Sequence, residues 1–134
     1  MTISDEIRKF IETIPVAFVA STDEAGHPHL AAGTDIEVRN GSSLVFENWF
    51  CATTLRNVAQ NPNVAIAVTT ADGRIGYQFL GRVSRSSEEA IMNGYDPNVE
   101  KPGIPQALIR MIVEVEEIMD FSAGAHTDLS LNVP

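Results

Sequence analysis

A chain of 134 residues is the size of one domain around one core, and 44% hydrophobic with 20% charged residues is a folded composition, not a disordered one. The formal net charge of −9 repels nucleic-acid phosphate and anionic lipid and argues against both as partners, although a local pocket can still accept a small phosphate. Cys51 is the only cysteine, so no intrachain disulfide forms; the charged start MTISDEIRKF lacks a signal peptide's apolar run, and no apolar stretch is long enough to cross a bilayer. The expectation is a soluble, cytoplasmic protein.

Ile3, Ile7, Phe10, Ile11 and Ile14 fall on one face at helical spacing. Ser4 suits the cap of that helix, Asp5 and Glu6 suit its first turn, and Pro15 ends it. Strands follow. Val16 to Thr22 reads as a short buried strand, and DEAGHP from Asp23 to Pro28 as a turn. His29 to Arg39 alternates, with Thr34, Ile36 and Val38 on one face and Asp35, Glu37 and Arg39 on the other. Asn40-Gly41 is a hairpin signal, and Ser43 to Phe50 returns as the next strand.

Thr53 to Gln60 carries Leu55, Val58 and Ala59 at helical spacing, and Asn61-Pro62 stops that helix. Val64 to Thr70 is apolar on both faces, which predicts a central strand. A turn at Ala71-Asp72-Gly73 leads into a long strand, Ile75 to Ser84, where Gly76 and Gly81 predict bends or bulges. Ser86 and Glu89 form a capping box for a short helix ending at Gly94, Asp96 to Pro105 is a Pro/Gly-rich loop, and Arg110 to Phe121 is the last strand. About six strands joined by short turns pair mainly antiparallel, and closing such a sheet removes its edges, so a barrel is expected over residues 15–122, with 123–134 a loose tail of one domain, 1–134.

The stretch FENWFCATTLRNVAQNPNV, Phe46 to Val64, resembles a recurring segment of the pyridoxamine 5′-phosphate oxidase-like FMN-binding split barrels. There a strand ends at the flavin ring, a short loop carries hydroxyl and basic residues to the phosphate, and a helix closes in a pattern like Asn-Leu-x-x-Asn-Pro-x-Val. The matching positions are Asn57, Val58, Asn61, Pro62 and Val64. The Gly-x-Pro turn at Gly26 to Pro28, YQFLGRV from Tyr77 to Val83, and VEVEEIMDF from Val113 to Phe121 extend the likeness. It implies a mainly β fold, a six-stranded antiparallel split β-barrel with short helices, forming a homodimer that binds FMN between its subunits. It also implies an FMN-dependent oxidoreductase acting on a small substrate or a nicotinamide donor. Two alternatives stand beside it: a flavin-binding electron carrier or sensor, and a barrel that has lost FMN and binds another ligand or partner.

Two departures shape the expectation. Relatives usually carry Lys or Arg three or four residues before the Asn matched by Asn57, and Thr53 and Thr54 stand there. The Arg- and Trp-containing C-terminal segment of true pyridoxamine phosphate oxidases is not matched, which implies an activity other than vitamin B6 oxidation.

Thr53 and Thr54 open a helix, where unpaired N–H groups and the positive dipole end suit a phosphate; either could instead simply cap it. A lysine in place of Thr54 is then expected to tighten FMN binding. Arg56 is the nearest cation. By the resemblance, Glu47, Asn48 and Trp49 mark the strand end that touches the flavin ring, largely through backbone groups, and Trp49 either stacks on the flavin or fills a core or subunit contact. Gln78 is a candidate hydrogen-bonding residue for ring or phosphate, or an outward polar residue on an alternating strand. His27 and His29 lack a third ligand at standard spacing, so no metal site is expected. Cys51 has no flanking basic residue and reads as a small buried thiol. No residue stands out as a catalytic acid or base.

Overall fold

The structure is a computed structural model that describes residues 2–85 and 109–131. The helix expected from Ser86 and Glu89 and the loop 96–105 lie outside the described residues.

Helix α1 spans Asp5–Glu12. Ser4 caps it: its Oγ accepts from the Ile7 N–H at 3.2 Å, and Asp5 and Glu6 face the positive end of the dipole. Its apolar stripe, with Ile3 just before it, buries Ile3, Ile7 and Ile11, and Phe10 meets Tyr77 edge to face at 5.3 Å.

Seven strands follow among the described residues: β1 Ala17–Thr22, β2 Pro28–Gly33, β3 Ile36–Arg39, β4 Ser43–Trp49, β5 Asn63–Thr69, β6 Gly76–Arg85 and β7 Ile109–Asp120, with helix α2, Ala52–Gln60, between β4 and β5. The count exceeds six because Thr34-Asp35 breaks the 29–39 segment in two. Asp35 takes a left-handed φ of 56°, which no strand accommodates. All pairings are antiparallel, in the order β2-β1-β5-β6-β7-β4-β3. β5 lies between β1 and β6, as its two apolar faces require.

Closure follows from this order. β2 and β3 are the two edges, yet only Thr34 and Asp35 join them. In a flat sheet of seven strands the edges would lie about 29 Å apart, whereas a two-residue link reaches about 10 Å. The sheet therefore curls on itself as a split barrel, with α1 and α2 as its short helices.

The core lies inside that curl. Val19, Leu44, Phe46, Ile66, Val68, Phe79, Met111 and Val113 are fully buried; on β1 and β5 buried residues alternate with more exposed ones, whereas β4 is buried on both faces from Ser43 to Phe46. Trp49 joins them from the end of β4, and its indole meets Phe46 at 5.0 Å. Gly33 on β2 makes room for it: a Cβ there would stand 2.5 Å from Trp49 Cζ3. At Gly81 the expected irregularity is real. The β6–β7 register shifts between Leu80 and Gly81, and a Cβ would meet the Glu114 carbonyl at 2.3 Å.

The outer face of β2, β1, β5 and β6 has a different character. Phe18, Ala20, Leu30, Ala65, Ala67 and Phe121 line an apolar groove of about 360 Å³. Leu30 is 66% exposed and Phe18 39%. Beyond β7 the chain turns back, and the Leu131 N–H donates to the Ile118 carbonyl at 2.7 Å. No described helix is long and apolar enough to cross a membrane.

Candidate functional site at the start of the second helix

The end of β4, the two residues Phe50 and Cys51, and the first turn of α2 form one continuous ledge. The ledge begins at a bulge. Phe46 pairs with Met111 and Trp49 with Ile109, so β4 carries one extra residue across Glu47-Asn48. A bulge leaves backbone groups outside the ladder and re-aims the side chains after it. Here it turns Trp49 into the core.

The Glu47 carboxylate sits between two guanidinium groups: Arg39 Nη2 donates to Oε1 at 2.6 Å and Arg110 Nε to Oε2 at 2.9 Å. Arg39 also reaches Glu37. Arg39 first and Arg110 second hold the Glu47 carboxyl below the usual carboxylate range. Asn48 is exposed. Trp49 is 1% exposed and its Nε1–H donates to the Cys51 carbonyl at 3.1 Å, so its ring packs the core and presents no stacking face. Phe50 is 52% exposed and offers an apolar surface at the helix start that its alternation with buried Trp49 foreshadows.

Helix α2 opens without a finished cap. Cys51 is the N-cap residue in an extended conformation, its side chain makes no cap hydrogen bond, and the first turn holds no acid. Thr53 is half-buried and its Oγ1 accepts from Arg56 Nη2 at 3.2 Å, while Arg56 itself is exposed. Thr54 is fully buried, and its Oγ1 has no hydrogen-bond partner among the described residues, an arrangement that costs about 1–3 kcal/mol. Burial corrects the expectation for a lysine at Thr54, because a charge there would enter the core; Thr53 is the hydroxyl that solvent reaches.

Cys51 needs a second correction. Burial pushes its thiol up, but Thr54, through side chain and N–H, the Thr53 N–H and the Arg56 charge together outweigh it, and the net displacement is downward. No cation flanks Cys51 in sequence; the helix brings Arg56 and the first-turn dipoles to it.

Asn57 faces inward from α2 and its Nδ2 donates to Ser21 Oγ on β1 at 3.1 Å. One turn later Asn61 Nδ2 donates to Thr22 Oγ1 at 2.8 Å, and Asn61 Oδ1 accepts from the Asn63 N–H at 3.2 Å. The two asparagines of the Asn-x-x-x-Asn-Pro stretch thus fasten α2 to β1 and turn the chain into β5. His29, opposite Ser21, has a buried Nδ1 with no hydrogen-bond partner among the described residues, whereas His27 lies on the surface beside Asp23. Among the described residues no group of three or more His, Cys, Asp and Glu side chains gathers in metal-binding geometry.

Within one chain the candidate residues form two sets. Glu47, Asn48, Trp49, Thr53, Thr54, Arg56 and Asn57 share the ledge and its helix. Gln78 does not join them: it lines the outer groove with Phe18, Leu30 and Phe121, on the opposite face of the sheet from α2.

A curled antiparallel sheet, with a helix entered directly from a bulged strand end, is a split β-barrel. The sequence model of the pyridoxamine 5′-phosphate oxidase family matches residues 3–117, and the chain belongs to that family. Among curated proteins no match was found. Solved structures share the fold at low identity. HupZ from Group A Streptococcus is 23% identical with a TM-score of 0.69, over 93% of this chain and 98% of that one. An FMN-binding protein from Syntrophomonas wolfei is 11% identical with a TM-score of 0.66, over 90% and 85%. HutZ, the heme storage protein from Vibrio cholerae, is 17% identical with a TM-score of 0.59, over 90% and 96%.

Proposed function

We propose that this protein is an FMN-binding flavoprotein, an oxidoreductase acting on a small substrate or a nicotinamide donor, with its cofactor seated between two copies of the chain. The observation that carries the reading is the open N-terminus of α2. Its N-cap makes no side-chain hydrogen bond, its first turn carries no acid, and Thr53 Oγ1 and Arg56 lie accessible beside it. Such a donor set fits a phosphate, since first-turn N–H groups and the dipole both favour an anion.

The chain's own residues divide the work. Thr53, Arg56 and the first-turn N–H groups hold the phosphate. The bulge at Glu47-Asn48 offers backbone groups to the ring's polar edge, and Phe50 gives it an apolar wall. Arg39 and Arg110 keep Glu47 ionised and in place, so it supports the bulge and does not serve as a free base. FMN, when bound, supplies the hydride or electron transfer at its N5.

The second copy covers the apolar groove of β2, β1, β5 and β6. An exposed face of this kind on a family member suits a subunit contact.

Flavin titration monitored by fluorescence quenching, together with sedimentation, tests the reading. Expected are a dimer and saturable binding of one FMN per chain. A monomer, or a protein that stays colourless after FMN is added, overturns it. One observation favours a second reading, a barrel holding another ligand or a protein partner: among the described residues of the helix start, burial of Thr54 leaves Thr53 and Arg56 as the accessible polar side chains for the phosphate.

A further inference from the structure

Cys51 stands where the other helix has its capping serine. At α1 the Ser4 oxygen accepts the Ile7 N–H; at α2 the same position holds a half-buried thiol. Sulfur is a weak acceptor, so the first turn of α2 is poorly satisfied. Thr54, three residues on, is fully buried, and its hydroxyl makes no hydrogen bond of good geometry among the described residues; the sulfur it acts on is a weak acceptor. An oxygen carried on the sulfur would give that hydroxyl the acceptor it lacks. Thr53, Thr54 and Arg56 also favour the thiolate, the reactive form.

We propose that Cys51 is a peroxide-sensitive thiol whose sulfenate sets an anionic oxygen at the start of α2 and expels the phosphorylated cofactor. The regulatory half rests on the reading above that this helix start holds the phosphate. The Cys51 thiolate attacks one oxygen of a hydroperoxide. The S–O bond forms as the O–O bond breaks, the leaving oxygen departs with the electron pair as hydroxide or alkoxide, and it takes the proton of the transferred oxygen, giving water or alcohol and the sulfenate. Sulfur is oxidised by two electrons and the peroxide is reduced. The new oxygen accepts from Thr54 Oγ1 and the Thr53 N–H. The sequence holds no second cysteine, so no intrachain disulfide traps this state. Reduction takes two external thiols: the first forms a mixed disulfide and releases water, and the second frees Cys51 and leaves as a disulfide.

The test treats the purified full chain with hydrogen peroxide in the presence of dimedone and locates the adduct by peptide mass spectrometry. FMN affinity is titrated separately before peroxide, after it, and after dithiothreitol. Expected are a dimedone adduct on Cys51, an affinity about tenfold weaker after oxidation, recovery on reduction, and no peroxide effect in Cys51→Ser. Thr54→Val, which removes only the buried hydroxyl, should slow labelling at least about threefold. No adduct at Cys51, or unchanged FMN affinity in protein oxidised there, overturns the proposal; equal labelling of Thr54→Val removes Thr54 from it. Untreated protein that binds no FMN defeats the cofactor reading instead, and the dimedone result still decides the thiol.

Discussion

The two helices among the described residues are built on opposite plans. Helix α1 is complete in itself: a serine cap bonded at 3.2 Å, two acids in the first turn, and an apolar stripe of isoleucines sunk into the barrel end. Helix α2 is held by polar bonds from Asn57 and Asn61 to β1, and its N-terminus has neither a bonded cap nor an acid. A helix that serves only the fold satisfies its own ends. The proposed phosphate site rests on the contrast: α2 leaves its positive end open beside an accessible hydroxyl and an arginine, a setting that favours an anion.

The largest effect that should separate the two is on stability. Ile11→Ala in α1 removes a buried side chain and should cost about 2–5 kcal/mol in urea unfolding. FMN affinity of the fraction that stays folded should change by less than about twofold, since α1 packs chiefly on β3 rather than on α2. Equal damage to both would mean that the helices are not separable.

Next comes Cys51→Asp, which gives α2 the anion it lacks. An acidic N-cap should stabilise the protein by about 0.5–2 kcal/mol in thermal unfolding and weaken FMN binding at least about tenfold. A stabilised variant with undiminished FMN affinity would separate the phosphate from this helix. The paired deletion sharpens the contrast: Ser4→Ala should cost about 1 kcal/mol, whereas Cys51→Ala, removing a side chain with no cap bond, should stay within about 0.5 kcal/mol. Both are read by chemical denaturation, and equal losses would erase the distinction.

The smallest effect belongs to Glu47. Its folded pKa is depressed by Arg39 and Arg110, so its stabilising contribution is present above the ordinary carboxylate pKa and is lost as pH falls through the folded value. Melting temperature should therefore decline as pH drops below about 4, and Glu47→Gln should show a shallower decline. Parallel curves would mean that the two arginines contribute nothing to folding. The pair is about one-third exposed, so the effect is modest.

Much of this contrast was legible in the sequence. Ser4 before Asp5-Glu6 and the isoleucine spacing define α1 by local rules alone. The segment from Phe46 to Val64 is legible for the same reason: apolar strand, helix-spaced Leu55 and Val58, then Asn61-Pro62 as a stop. Features set by packing were hidden. The break at Asp35 lies in an alternating run whose pattern holds on both sides. The extra residue at Glu47-Asn48 is visible only against the β7 register. Trp49 lies inside because Gly33 leaves a space opposite it, and Thr54 is buried while Thr53 is not because α2 lies on β1 with one particular face. Arg39 reaches Glu47 within the β3–β4 hairpin, whereas Arg110 reaches it from β7, 63 residues away in sequence.

The most direct measurement compares FMN with riboflavin, which share the ring and differ in the phosphate. The account predicts FMN binding at least about tenfold tighter, with the advantage shrinking as salt is raised, because the selectivity comes from the start of α2. Equal affinities, or an FMN advantage that survives Cys51→Asp intact, would contradict it.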